Sequence, residues 1–83
     1  MAESASASTY NEPTVMWRMR RDRLVSHAVI APAGNGASVM WFVNCRLLGF
    51  REFSNYADAI RWSDRMRDHN WATGWRFAAP DAP

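Results

Sequence analysis

The chain predicts an α+β domain: a three-stranded antiparallel sheet, four-stranded if a short C-terminal segment joins it, packed against one C-terminal helix. Three observations carry this expectation. A helical period follows a capping signal at Ser54 and Asn55. Two β-prone runs, 39–43 and 46–51, flank Asn44 and Cys45. A further strand-like run, LVSHAVIA at 24–31, is closed by the turn-rich PAGNG at 32–36.

The helix is the clearest element. Asn55 stands three residues before Asp58, a weaker form of the capping box, and Ser54 is an equally good N-cap. Tyr56, Ala59, Ile60, Ser63, Met66 and Asn70 then recur at helical spacing, with Trp62 at the edge of the stripe. Asp58, Arg61, Asp64, Arg65 and Asp68 fall on the opposite side, several with opposite signs at i,i+3 or i,i+4. The expected span is 55–69, fraying near His69 and Asn70, and Gly74 ends the region.

Ahead of the helix, Asn tolerates positive φ, so a two-residue hairpin turn at Asn44–Cys45 is expected. Cys is unfavourable at its second place, where Gly is usual, which leaves a longer loop open. TVMWRMRR at 14–21 alternates weakly and reads as a first strand, with a short helix as its competitor. WRF at 75–77 supplies the short additional edge strand. With the hairpin closed at Asn44–Cys45, Phe42 pairs with Leu47 and Trp41 with Leu48. One face then carries Val39, Trp41, Val43, Leu48 and Phe50. The other carries Met40, Phe42, Leu47 and Phe53, with Arg51. Both faces are apolar. Trp41, Leu48 and Phe50 are assigned to the core under the helix, with Tyr56 and Ile60. Met40, Phe42 and Leu47 are left as an interaction face that needs a cover, such as the 71–77 tail, residues 14–21, a second subunit or a ligand.

With 83 residues the chain holds one domain at most, expected at 14–78 between tails at 1–13 and 79–83. Hydrophobic residues make up 48% and aromatic residues 13%, five of them Trp, which excludes a disordered chain. One cysteine allows no internal disulfide and fits a reducing, cytoplasmic setting. The first ten residues, MAESASASTY, lack the basic and apolar regions of a signal peptide, and no run is long enough to span a membrane.

The ten basic residues are all Arg, and the net charge is +2. GC-rich coding explains the Arg bias most simply; a preference for guanidinium forks at phosphates or carboxylates is the functional reading. Charge is uneven along the chain. Residues 14–31 carry four Arg and one Asp, while 54–83 carry four of each and cancel. The helix therefore reads as a self-paired, solvated face. The excess lies in RMRRDR at 18–23, beside Trp17. A polyanion would meet Arg18, Arg20, Arg21, Arg23 and Arg51, with Trp17 as a stacking group.

LGFREFSNYADAIRW at 48–62 resembles the last strand and helix entry of AP2-type domains, and RMRRDR sits where that family places Arg on its first strand. The resemblance is one of architecture and covers about half of the folded part. It implies a three-stranded sheet of the kind that these domains, and the related integrase arm-binding domains, lay in the DNA major groove. The tight Gly and Arg pattern of the family's first strand is absent here.

No catalytic constellation emerges. His27 lies mid-strand with no acid or nucleophile beside it in sequence, and His69 suits a helix end. Two His and one Cys without ligand spacing argue against zinc. Nothing in the sequence lowers the pKa of Cys45. AGNG lacks the strand-to-helix setting of a phosphate loop. The expectation is a non-catalytic binding module without cofactor, metal, membrane or small-molecule substrate. Its partner is nucleic acid, through the basic first strand and sheet, or alternatively protein, including a second copy, through the apolar face.

Overall fold

The structure is a computed structural model that describes residues 12–79. Most of the expected tail at 1–13, and all but residue 79 of that at 79–83, lie outside the described residues.

Five strands and one helix follow in order: β1 (Thr14–Arg21), β2 (Leu24–Ala33), β3 (Gly36–Val43), β4 (Arg46–Phe53), α1 (Tyr56–Ala72) and β5 (Arg76–Phe77). The strands form one antiparallel sheet in the order β4-β3-β2-β1-β5. Residues 14–21 are thus strand, not helix, and the short segment near the C-terminus pairs with β1. The sheet has five strands where three or four were expected.

Three two-residue turns join the first four strands. Arg21 pairs with Leu24, Ala33 with Gly36 and Val43 with Arg46. Each turn holds at least one residue in the left-handed region: Asp22, Gly34, and both Asn44 and Cys45. Two successive positive φ values make Asn44–Cys45 a type I′ turn, whose twist matches the strands it joins. Asn44 fixes it further: its backbone N–H donates to the Val25 carbonyl at 2.7 Å, and its Oδ1 accepts the Val25 N–H at 2.9 Å.

α1 starts at N-cap Asn55, whose side chain accepts the Asp58 N–H at 2.8 Å. It runs three residues beyond the expected end, where the carbonyls of His69, Asn70 and Trp71 are all taken. The Trp75 N–H donates to the Asn70 carbonyl and the Gly74 N–H to that of Trp71, a Schellman closure with Gly74 at positive φ. On the outer side, Asp58 pairs with Arg61, and Arg67 pairs with Asp64 and Asp68. The helix charges cancel in space as they do in sequence.

α1 covers one face of the sheet. Trp17, Met19, Ala28, Ile30, Ala37, Val39, Ala59 and Trp75 form the buried core. Met16, Trp41, Phe53, Tyr56, Ile60, Trp62 and Met66 pack around it. Ala59 and Ser63, one turn apart and fully buried, bring the helix backbone close to the sheet. The Trp17 indole N–H reaches the Ser63 carbonyl at 3.0 Å.

The face assignment of β4 is corrected. Phe42 does pair with Leu47, but Trp41 pairs with Gly49, not Leu48, because a bulge lies between the two pairs. One extra residue reverses every side chain beyond it. Phe50 and Leu48, assigned to the core, are 60% and 63% exposed. Phe53 and Arg51 turn under the helix instead, where both meet Trp62. Gly49 accommodates this register: a Cβ there would lie 2.7 Å from the Trp41 ring, so the glycine leaves room for that indole across β4.

Candidate functional site

The candidate site is the sheet face away from α1. Its composition follows from register, since directly paired residues share a face. One row runs Val15–Val29–Met40–Phe50 across β1 to β4, and the next runs Arg18–His27–Phe42–Leu47. Together they make an apolar band across four strands, with Arg18 at one end. Val15, Leu47 and Phe50 are each more than half exposed. Met40, Phe42 and Leu47, the expected interaction face, do share this open face. The adjoining 71–77 segment does not cover it; Trp71 and Phe77 pack on each other, and Trp75 joins the core.

His27 and Phe42 stack with centroids 4.6 Å apart and planes within 8°. Since they are cross-strand partners, such a stack requires rings standing on edge, each flat face turned to its neighbour. Burial, and then the Arg18 charge beside it, hold the His27 pKa below the ordinary 6.5. The imidazole is thereby biased to its neutral form in the middle of an apolar band.

The residues expected to meet a polyanion are split up. Arg18 and Arg20 lie on the open face. Arg23 is exposed in the β1–β2 turn beside Asp22. Arg21 turns toward the helix end, donating to the Thr73 carbonyl at 2.9 Å and lying over the Trp75 ring. Arg51 lies over Phe53 and Trp62 on the helix side. Trp17, at 5% exposure, is a core residue held by Ser63 and presents no ring for stacking. Strand alternation separates Arg20 from Arg21, and the β4 bulge moves Arg51 away from Met40.

Sequence reasoning missed Val15, Val29, His27 and Phe50 as members of this face. The alternation of β2, with Val25, His27 and Val29 against Ser26, Ala28 and Ile30, holds the signal for His27 and Val29. Nothing short of the bulge places Phe50.

A pocket of about 260 Å³ opens at the corner where β1 meets the Asn44–Cys45 turn, lined by Arg18, Arg20, Val25, Asn44, Cys45, Ala78 and Ala79. Cys45 is a free, exposed thiol. Among the described residues no group of three or more His, Cys, Asp or Glu side chains could hold a metal. No described helix is long and apolar enough to cross a membrane.

No family model matches the chain, and neither a curated protein nor a solved structure matches it.

Proposed function

We propose that the protein is a non-catalytic association module whose open sheet face packs against the same face of a second copy. The observation that carries this reading is the apolar band Val15, Val29, Met40, Phe42, Leu47 and Phe50, over which no helix lies among the described residues. A small domain that leaves one face of its sheet apolar gains stability by burying that face in an oligomer. Four strands about 4.8 Å apart, of eight to ten residues at about 3.3 Å per residue, give a flat footprint of about 500 Å². Side-chain relief brings this toward the roughly 800 Å² per partner of a standard interface. The dimer is therefore expected to dissociate on dilution. The reading keeps a reducing, cytoplasmic setting, supported by the exposed thiol of Cys45.

Sedimentation velocity over a wide concentration range tests this. The mass should rise from the 9.5 kDa monomer toward twice that value, and Met40→Glu and Phe50→Glu should each abolish the rise. A monomer at every concentration would end the reading.

Nucleic-acid binding stands as the second reading. It is favoured by Arg18 and Arg20 on the open face, by Arg23 nearby, and by the likeness of a sheet-plus-helix to AP2-type domains. The first reading is preferred because the His27–Phe42 stack takes one flat face of each ring and stands both rings on edge on the open side, whereas base stacking needs a flat face turned outward. Titration with short single- and double-stranded oligonucleotides at low and moderate salt separates the two. Amide shifts confined to 17–23 and the open face would favour nucleic acid; no shifts at low salt would exclude it.

A further inference from the structure

We propose that pairing through the open face is switched by pH, with His27 as the switch: two copies associate while its imidazole is neutral and separate when it takes up a proton. This rests on the self-association reading and adds its control.

The position of His27 comes from the register. β2 and β3 are the middle strands of the four that carry the apolar band, and His27 on β2 pairs with Phe42 on β3. A ring at the centre of a self-complementary patch is covered at whatever angle the two faces cross, whereas a ring at the rim stays wet. His27 is half-buried in the single copy and loses its remaining water when the face closes. Such burial penalises the charged imidazolium and spares the neutral ring.

Among the described residues no carboxylate stands in the rows around His27. Its own row brings Arg18 from β1 and Phe42 from β3, with Leu47 beyond on β4. The row on one side holds Val15, Val29, Met40 and Phe50. The row on the other holds Arg20 and Val25, the latter bonded to Asn44. From β5, Arg76 pairs with Arg20 and turns its guanidinium to the Trp71 and Trp75 carbonyls. Carboxylates stand further off: Glu52 is two rows along on β4, opposite Ser38, Asp22 is in the β1–β2 turn, and Glu12 precedes β1. α1, with its Asp and Arg pairs, lies across the opposite face. The Phe42 ring attracts an imidazolium, but it does so in the single copy and in the pair alike and cancels from the comparison. What differs between the two states is water.

In the single copy, burial and then the Arg18 charge already hold the His27 pKa below 6.5. Closing the face deepens the first effect, so the pair binds protons less well than the separate copies. The separate copies therefore take up protons first as pH falls. Association is strongest above pH 6.5 and weakens as pH drops through the single copy's pKa below it. Each partner carries one His27, so the dissociation constant rises there by up to about a hundredfold per pH unit.

Sedimentation velocity of the native chain from pH 7.5 to 5, at constant ionic strength, gives the dissociation constant, and far-UV circular dichroism shows that the fold is kept. The constant should rise by about fivefold or more over that range. His27→Phe, which keeps a ring and cannot titrate, should associate at pH 7.5 and hold its dissociation constant to pH 5. His69→Gln, in the last turn of α1, should behave as the native chain. Independently, the His27 imidazole followed by NMR should titrate at lower pH in a concentrated sample than in a dilute one. A native chain that is monomeric at pH 7.5 would end the self-association reading and the switch with it. A native dimer whose dissociation constant rises less than about fivefold, equal pH dependence in His27→Phe, or the same His27 titration at both concentrations would end the switch alone.

Discussion

The two faces of this sheet are both apolar, yet only one took the helix. The helix side carries Trp17, Met19, Ala28, Ile30, Ala37, Val39 and Trp41. The centre of the open side carries His27, Val29, Met40 and Phe42. The difference is in size, not hydrophobicity. Ala28 and Ala37 on the sheet and Ala59 and Ser63 on the helix are all fully buried among larger neighbours, so small residues let the two layers approach closely. The open side is a row of larger side chains, with His27 stacked on Phe42. A face of this kind suits a broad, flat partner.

Truncation at matched depth should break or sharpen that contrast most. Ile30→Ala, at a fully buried position, should lower stability by about 2–5 kcal/mol. Phe50→Ala, at an exposed position on the open side, should change monomer stability by about 0.5 kcal/mol or less. Urea unfolding at low protein concentration measures both. Similar losses would mean that the two faces are equally engaged within one chain.

Next come the two glycines that seat β3 and β4. A Cβ on Gly36 would lie 1.9 Å from the Phe53 carbonyl oxygen, a backbone atom that cannot step aside alone. Gly36→Ala should cost about 1–3 kcal/mol, the usual scale for overpacking. Gly49→Ala meets the Trp41 ring, so its cost should come with altered Trp fluorescence. Full stability and an unchanged spectrum in Gly49→Ala would show that the bulge does not need the glycine.

A smaller effect concerns pH. His27 has a folded pKa below the ordinary 6.5, from burial and then from Arg18. The unfolded chain therefore takes up the proton first as pH falls. Stability should be fully present above about pH 6.5 and decline as pH drops from there through the folded pKa. His27→Gln should flatten this part of the profile in thermal melts taken from pH 7.5 to 5. A slope that survives the substitution would assign it to other groups.

The smallest expected change is a gain. Cys45 sits at φ 67°, a conformation that glycine adopts without a Cβ clash. Cys45→Gly should raise stability by about 0.5–1 kcal/mol, seen as a higher urea midpoint.

Much of the fold was legible without coordinates. The capped helix, the Asn44–Cys45 hairpin, the strand at 24–31 and the class of fold all rest on interactions within a few residues. Asn55 meets Asp58, Asn44 is already half-disposed to its turn, and the Asp and Arg side chains of α1 pair along their own helix. Local chemistry of this kind is present in the order of residues. The candidate site was legible only in part: Met40, Phe42 and Leu47 were placed on one open face, while Phe50 and Leu48 were assigned to the wrong side. What the tertiary structure alone decided is which of two apolar faces is buried, and it did so through contacts far apart in the chain. Trp17 finds Ser63 across 46 residues, and Arg51 and Phe53, turned by the bulge to the helix side, both find Trp62. A strand's alternation has period two, so one inserted residue inverts everything beyond it, and composition is blind to that insertion because both faces have the same hydrophobic content.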